Sequence, residues 1–190
     1  MARQTEHQFP NFGNAHVSCD ARQAFSKARV DRKTYLRRAV KNMTLDKYAL
    51  KAGQDQTVFE FISEGTKGAI RIIILFQPTT ESNLYNLAFG DRDPLTGSVN
   101  DMAVSNNGDT DKVLATVVGA LYAFCERYPE AFVYATGSTA ARTRLYRMGI
   151  TRFQNEIQND FFLYGQVGDD FPEFELGKEY DGFLAKRKFD

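Results

Sequence analysis

Three consecutive strand-like segments, followed by a helical pattern, restrict the fold of this chain more than any other feature. Residues 57–65 (TVFEFISEG) place apolar side chains around Glu60, and residues 69–78 (AIRIIILFQP) are the most β-branched stretch of the chain. Residues 82–91 (SNLYNLAFGD) carry apolar side chains on both faces. Because β-branched and aromatic residues favour strands, and the links between the segments are short and polar, this pattern predicts an antiparallel β-meander.

The second half of the chain changes to alternating helices and strands. Apolar residues recur at three- and four-residue spacing over 113–125, which predicts a helix. A strand over 131–137, a helix over 138–148 that Gly149 ends, and a strand over 160–168 are predicted to follow, and the tail has no clear period. A strand–helix–strand unit implies a parallel pair with a right-handed crossover. The predicted class is therefore α+β, with a mixed, mainly antiparallel sheet.

Charge divides the chain at residue 42. Residues 1–42 hold nine Lys and Arg against three Asp and Glu, a net charge of +6, which leaves −6 for residues 43–190 because the whole chain sums to zero. Apolar residues recur at helical spacing within 20–41, which predicts a basic amphipathic helix. Such an extension is typical of an arm that binds nucleic acid or a protein partner. Two alternatives are that the arm docks on the acidic domain, and that Met43 is the natural start.

The composition and termini indicate a cytoplasmic globular protein. The longest apolar run, 69–76, is interrupted by Arg71 and is far shorter than a membrane-spanning helix, and the N-terminus lacks the apolar core of a signal peptide. The two cysteines, Cys19 and Cys125, do not make a disulfide framework, and Cys125 lies in the apolar helical pattern and reads as a buried thiol.

The segment ATGSTAARTRLYRMGI (135–150) contains the candidate site. Gly137 would allow close approach of a ligand, Ser138 and Thr139 would supply N–H and hydroxyl donors, and Arg142 would supply charge, which together would make an anion site. Arg144 is a further candidate for this site; Arg142, Arg144 and Arg147 do not share one helix face, but Arg144 and Arg147, three residues apart, could share one. The commoner alternative is that Ser138 or Thr139 only caps the helix and the arginines are solvated.

The spacing of apolar residues also predicts how this helix packs. Leu145 and Met148 are its long apolar residues, so both are expected to face the sheet. Tyr146 would then lie at the helix flank, with its hydroxyl near a partly exposed groove beside Arg142.

Metal and histidine chemistry are not expected. The loop acids Asp91, Asp93, Asp101, Asp109 and Asp111 fit no calcium loop and are better explained by turns and helix capping, Asp109 or Thr110 capping the helix that begins near residue 111. The two histidines, His7 and His16, both precede residue 43, which disfavours a histidine-dependent hydrolase in the domain.

The predicted element order over 56–168 resembles the core of the Gcn5-related N-acetyltransferases. The segment Leu145-Tyr146-Arg-Met-Gly149-Ile150 is similar to a motif of that superfamily. The resemblance implies acetyl-CoA as cofactor, a pyrophosphate site at the start of the first core helix, and Tyr146 as the catalytic acid that protonates the leaving thiolate. The corresponding loop here is SNNGDTDKVL, which has one glycine and two aspartates where phosphate requires N–H donors.

Two functions therefore remain open from the sequence. A non-catalytic acetyltransferase-like domain that binds a protein or nucleic-acid partner, without a cofactor, is favoured over an acyl-CoA-dependent N-acyltransferase with a degenerate loop. Residues 43–190 also resemble a family of uncharacterised bacterial proteins common among Bacteroidetes, on LDKYAL, SNNGDTDKVLATV, GSTAARTRLYRMGI and KEYDGF. That second resemblance implies that residues 1–42 are an extension of an acetyltransferase-like α/β domain.

Overall fold

The structure is a computed structural model that describes residues 46–93, 95, 99–100 and 107–189. Within them lie eight strands and three helices: β1 (Lys51–Ala52), β2 (Val58–Gly65), β3 (Gly68–Pro78), β4 (Leu84–Arg92), β5 (Val99–Asn100), α1 (Thr110–Arg127), β6 (Phe132–Ala135), α2 (Ala140–Arg152), α3 (Gln154–Asp160), β7 (Phe161–Gln166) and β8 (Gly182–Arg187). The predicted arm over 20–41 lies outside the described residues.

One mixed sheet organises the domain. Its strand order is β1-β2-β3-β4-β6-β8-β7, with β5 added to β4, and β4 and β6 are its hydrogen-bonded parallel pair among the described strands. The predicted meander is confirmed as β2, β3 and β4. Strands β2 and β3 are antiparallel from Val58↔Leu75 to Gly65↔Gly68, and β3 is in turn antiparallel to β4. The α+β class with a mainly antiparallel sheet is therefore correct.

The predicted pairing of the last two strands is wrong in one respect. Strand β8, in the tail where no period was recognised, lies between β6 and β7 and is antiparallel to both. The two strands that flank α2 are thus parallel in direction but are not hydrogen-bonded neighbours. Phe183, Ala185 and Arg187 of β8 are buried, whereas Leu184 and Lys186 between them are half-buried. This alternation is too short to stand out among scattered aromatics.

The core lies between the sheet and α1. Phe76 of β3 stacks on Phe124 of α1 with ring centroids 4.0 Å apart, and Tyr85 of β4 meets the same ring edge-on at 5.0 Å. The apolar face predicted for α1 is buried from Leu114 to Cys125, apart from half-buried positions on its flank. Full burial of one such side chain contributes about 1.5–3 kcal/mol, so this helix face makes a large contribution to the stability of the domain.

The predicted packing of α2 is wrong. Met148 is 43% exposed and Leu145 is half-buried, whereas Tyr146 is 7% exposed and faces the sheet. Gly149 does not end the helix, which runs on to Arg152. It is buried against α1, where a Cβ would lie 3.3 Å from Leu114 Cδ2, so the glycine lets the two helices approach closely.

Candidate binding cleft

An open cleft of about 770 Å³ lies where β6 leads into α2. One wall is the start of α2 and the turn before it, and the other is the end of β7 together with the segment that enters β8. The residues that line it are Thr136, Gly137, Ser138, Thr139, Ala140, Ala141, Thr143, Arg144, Arg147, Gln166, Val167, Glu179, Tyr180 and Asp181. Four of the five residues predicted from sequence as an anion or ligand site, namely Gly137, Ser138, Thr139 and Arg144, are brought together here.

The turn at Gly137 fixes the shape of this cleft. A Cβ at Gly137 would lie 2.3 Å from Thr143 N, so the chain can fold back onto the first turn of α2 only with glycine at this position. The Gly137 N–H donates to Thr143 Oγ1 at 3.2 Å. Thr139 is the N-cap residue, and its Oγ1 accepts from Arg142 N at 3.3 Å. The predicted cap is thereby confirmed at Thr139.

Arg142 does not line the cleft, which corrects the prediction that placed it beside a partly exposed groove. It is 5% exposed, and its Nη1 donates to the main-chain oxygen of Phe89 at 2.7 Å. Arg142 lies four residues before Tyr146, so the two side chains share one face of α2. Because that face turns toward the sheet, Arg142 is buried together with Tyr146. The predicted anion site thus loses one of its two arginines.

The remaining arginines of α2 differ in their partners. Arg147 forms an ion pair with Glu179, which links the two walls of the cleft, and Arg152 pairs with Asp111 at 3.1 Å. Arg144 is exposed at the cleft, where it makes no ion pair or hydrogen bond with any residue that the structure describes.

The second wall was not recognised from the sequence. Gln166 is buried and accepts a 2.5 Å hydrogen bond from Tyr134 Oη, and its Nε2 donates to Gly168 O at 2.9 Å. Burial raises the pKa of Tyr134, so its hydroxyl remains a donor at neutral pH. Asp181 is exposed, and its Oδ2 accepts from Gly168 N at 3.2 Å. Gln166 lies in a strand that the sequence predicted, but Asp181 comes from the tail with no clear period, so no local signal indicated that the two form one wall.

Tyr146 does not line the cleft and is buried against β4. Its hydroxyl donates to Leu87 O at 3.1 Å, and its ring meets Phe89 edge-on at 5.3 Å. The two strands pair only as far as Asn86↔Tyr134, while β4 continues to Arg92. Beyond that point Tyr146 and Arg142 supply hydrogen bonds to β4 carbonyl oxygens, which a neighbouring strand would otherwise supply.

The start of α1 is held by a polar network. Asp109 occupies the N-cap position, as predicted, but its side chain makes no capping hydrogen bond. Its Oδ2 instead accepts from Ser63 Oγ at 2.6 Å and from Tyr48 Oη at 2.7 Å. Asn107 is buried and donates from Nδ2 to Ser63 Oγ at 2.9 Å. Gly65 packs against it so closely that a Cβ there would lie 1.9 Å from Asn107 O.

The remaining predicted groups take structural positions. Asp93 Oδ1 accepts from Leu95 N at 2.8 Å, an Asx turn of the kind predicted, whereas Asp101 lies outside the described residues. Cys125 is buried, as predicted, and its burial raises the thiol pKa to about 12. No group of three or more His, Cys, Asp and Glu side chains suited to a metal ion occurs within the described part of the chain.

A family model described as a family of unknown function, DUF6934, matches residues 44–188. The chain belongs to this family. Comparisons with curated proteins and with solved structures give no match. The DUF6934 match spans both walls of the cleft and the network at the start of α1, and it excludes the basic segment 1–42. Within the residues that the structure describes, no helix is long and apolar enough to cross a membrane.

Proposed function

We propose that this protein is a non-catalytic binding domain that engages a macromolecular partner, and that it is not an acyltransferase. The observation that carries the proposal is the position of Tyr146. A catalytic acid must reach the leaving group, but this hydroxyl is buried and its proton is directed to Leu87 O. Arg142 is also buried and donates to Phe89 O, so both side chains are committed to β4 carbonyl oxygens rather than presented to a thioester.

The start of α1 also does not fit acetyl-CoA. A pyrophosphate there would need free N–H donors and little negative charge nearby. The carboxylates of Asp109 and Asp111 lie at this helix start instead, and Asp109 is fixed there by Tyr48 and Ser63. The half-buried carboxylate of Asp109 disfavours a polyphosphate there because like charges repel, whereas the exposed carboxylate of Asp111 is paired with Arg152.

A protein partner at the cleft is better supported than a nucleic acid. The cleft carries Arg144 and Arg147 on its α2 wall and Glu179 and Asp181 on the other, so its charges balance. A phosphate backbone would meet both carboxylates at once, whereas a polypeptide can present both signs of charge.

Nucleic-acid binding is the second candidate, and it rests on a separate observation. Residues 1–42 carry a net charge of +6 and lie outside the family match. Clustered Lys and Arg bind phosphate backbones with a strong dependence on salt.

Calorimetric titration of the full chain with acetyl-CoA tests the proposal, and free coenzyme A is the companion ligand. The expected result is no heat beyond dilution with either ligand. Saturable binding of acetyl-CoA with a micromolar Kd would overturn the proposal and restore the acyl-CoA-dependent N-acyltransferase. A parallel titration of the Arg142→Ala variant tests whether the buried Arg142 side chain excludes acetyl-CoA. Binding by this variant alone would support that reason.

A further inference from the structure

Arg144 differs from the other arginines on its helix. Arg142, Arg147 and Arg152 each engage a main-chain oxygen or a carboxylate. Arg144 has no such partner among the described residues, and it lies on the wall of a cleft of about 770 Å³. An arginine fork presents five N–H donors in a geometry that matches a carboxylate. The cavity and the uncommitted guanidinium together indicate a ligand that carries an anionic group.

The opposite wall restricts which anion fits. Glu179 already pairs with Arg147, whereas the exposed side chain of Asp181 accepts, among the described residues, one long hydrogen bond from Gly168 N. A dianionic phosphate would be repelled by both carboxylates. A singly charged carboxylate next to a cation would satisfy Arg144 and Asp181 together, so the complementary group contains both charges.

We infer that the cleft binds an acidic side chain of a protein partner that has a basic side chain beside it in sequence. Arg144 receives the carboxylate, the exposed hydroxyls of Ser138 and Thr139 donate to it, and Asp181 receives the cation. This inference rests on the proposed function and names the chemistry that the partner presents.

Amide chemical shifts of the full-length, ¹⁵N-labelled protein test the inference. The probe is N-acetyl-Glu-Lys-amide, and the companions are N-acetyl-Gln-Lys-amide and inorganic phosphate. A short probe makes few contacts, so binding in the millimolar range is expected. The Glu-Lys probe should shift the amides of residues 137–144 and should bind more tightly than either companion.

Two variants on the same helix locate the effect. Arg144→Gln should weaken the Glu-Lys probe at least about tenfold, which corresponds to about 1.4 kcal/mol. Arg152→Gln is the matched control, because Arg152 is exposed and lies outside the cleft, and it should bind the probe as the parent does. The spectra also report whether each variant is folded.

Three results would overturn the inference: no shifts with the Glu-Lys probe, equal shifts in the Arg144→Gln variant, or tighter binding of phosphate than of the peptide. These are distinguishable from a failure of the proposed function. Acetyl-CoA binding would overturn the proposed binding domain, whether or not the Glu-Lys probe shifts the cleft amides. If neither acetyl-CoA nor the probe binds, only this inference is overturned.

Discussion

Replacing Tyr146 by Phe removes one oxygen atom from a buried site and leaves the aromatic ring in place. The ring keeps its edge-on contact with Phe89, so the packing term is unchanged. The loss is the 3.1 Å hydrogen bond to Leu87 O. Leu87 lies just beyond Asn86↔Tyr134, the last pair between β4 and β6, so among the described strands β6 does not pair with it.

The cost follows from these contacts. A lost intramolecular hydrogen bond costs about 0.5–1.5 kcal/mol, and a buried acceptor left unsatisfied costs about 1–3 kcal/mol. We therefore expect a loss of roughly 1–2 kcal/mol in the free energy of unfolding, since a carbonyl can regain part of its hydrogen bonding by small shifts. For a domain of this size that corresponds to a fall in Tm of roughly 2–8 °C.

Urea denaturation followed by circular dichroism measures the change, and scanning calorimetry measures Tm. Tyr164→Phe is the matched control, because Tyr164 is half-buried and its hydroxyl makes no hydrogen bond within the described residues. That variant should lie within about 0.5 kcal/mol of the parent. Equal stability of the two variants would refute the packing of α2 against β4. A stable Tyr146→Phe protein that had lost acetyl transfer would instead identify a catalytic tyrosine.

Three further predictions concern other parts of the molecule. Burial, and then the hydrogen bond to Asp160, raise the pKa of Tyr122, so its stabilising effect is complete below the unfolded pKa of about 10 and is lost progressively above it. Tyr122→Phe should therefore flatten the fall of Tm above about pH 10, and an unchanged slope would contradict this. Gly137→Ala should lower stability by roughly 1–3 kcal/mol in urea denaturation, because its Cβ would press on Thr143 N, whereas the looser Gly53→Ala should cost less. Deleting residues 1–42 should leave the circular dichroism of the domain intact and abolish salt-sensitive binding to DNA or RNA in gel-shift assays. Equal binding by the full chain and the deletion variant, or by neither, would exclude residues 1–42 as a nucleic-acid-binding arm.

Much of the fold could be predicted because its signals are local. The meander, α1 and the strand before α2 each have a hydrophobic period that neighbouring residues complete. The cap at Thr139 and the close turn at Gly137 could likewise be read from adjacent residues. One wall of the cleft follows from these local features alone.

The second wall and the phase of α2 depended on partners far along the chain. Hydrophobicity alone favoured Leu145 and Met148 as the buried residues of α2. The helix instead buries Arg142 and Tyr146, whose hydrogen-bond acceptors on β4 lie 53 and 59 residues earlier. A polar side chain can be buried where it finds a hydrogen-bond acceptor. The periodicity of the helix does not show where that acceptor lies.

The sequence by itself determined the order of most strands and helices, the α+β class and the turn that begins α2. Only the tertiary structure inserted β8 between β6 and β7, buried Arg142 and Tyr146 against β4, and placed Asp181 across the cleft from Arg144. The physical reason is the separation along the chain over which each interaction acts. Backbone periodicity and capping arise from residues within a few positions of one another, whereas strand neighbours and cleft walls are selected by packing between segments that the chain brings together only when it folds.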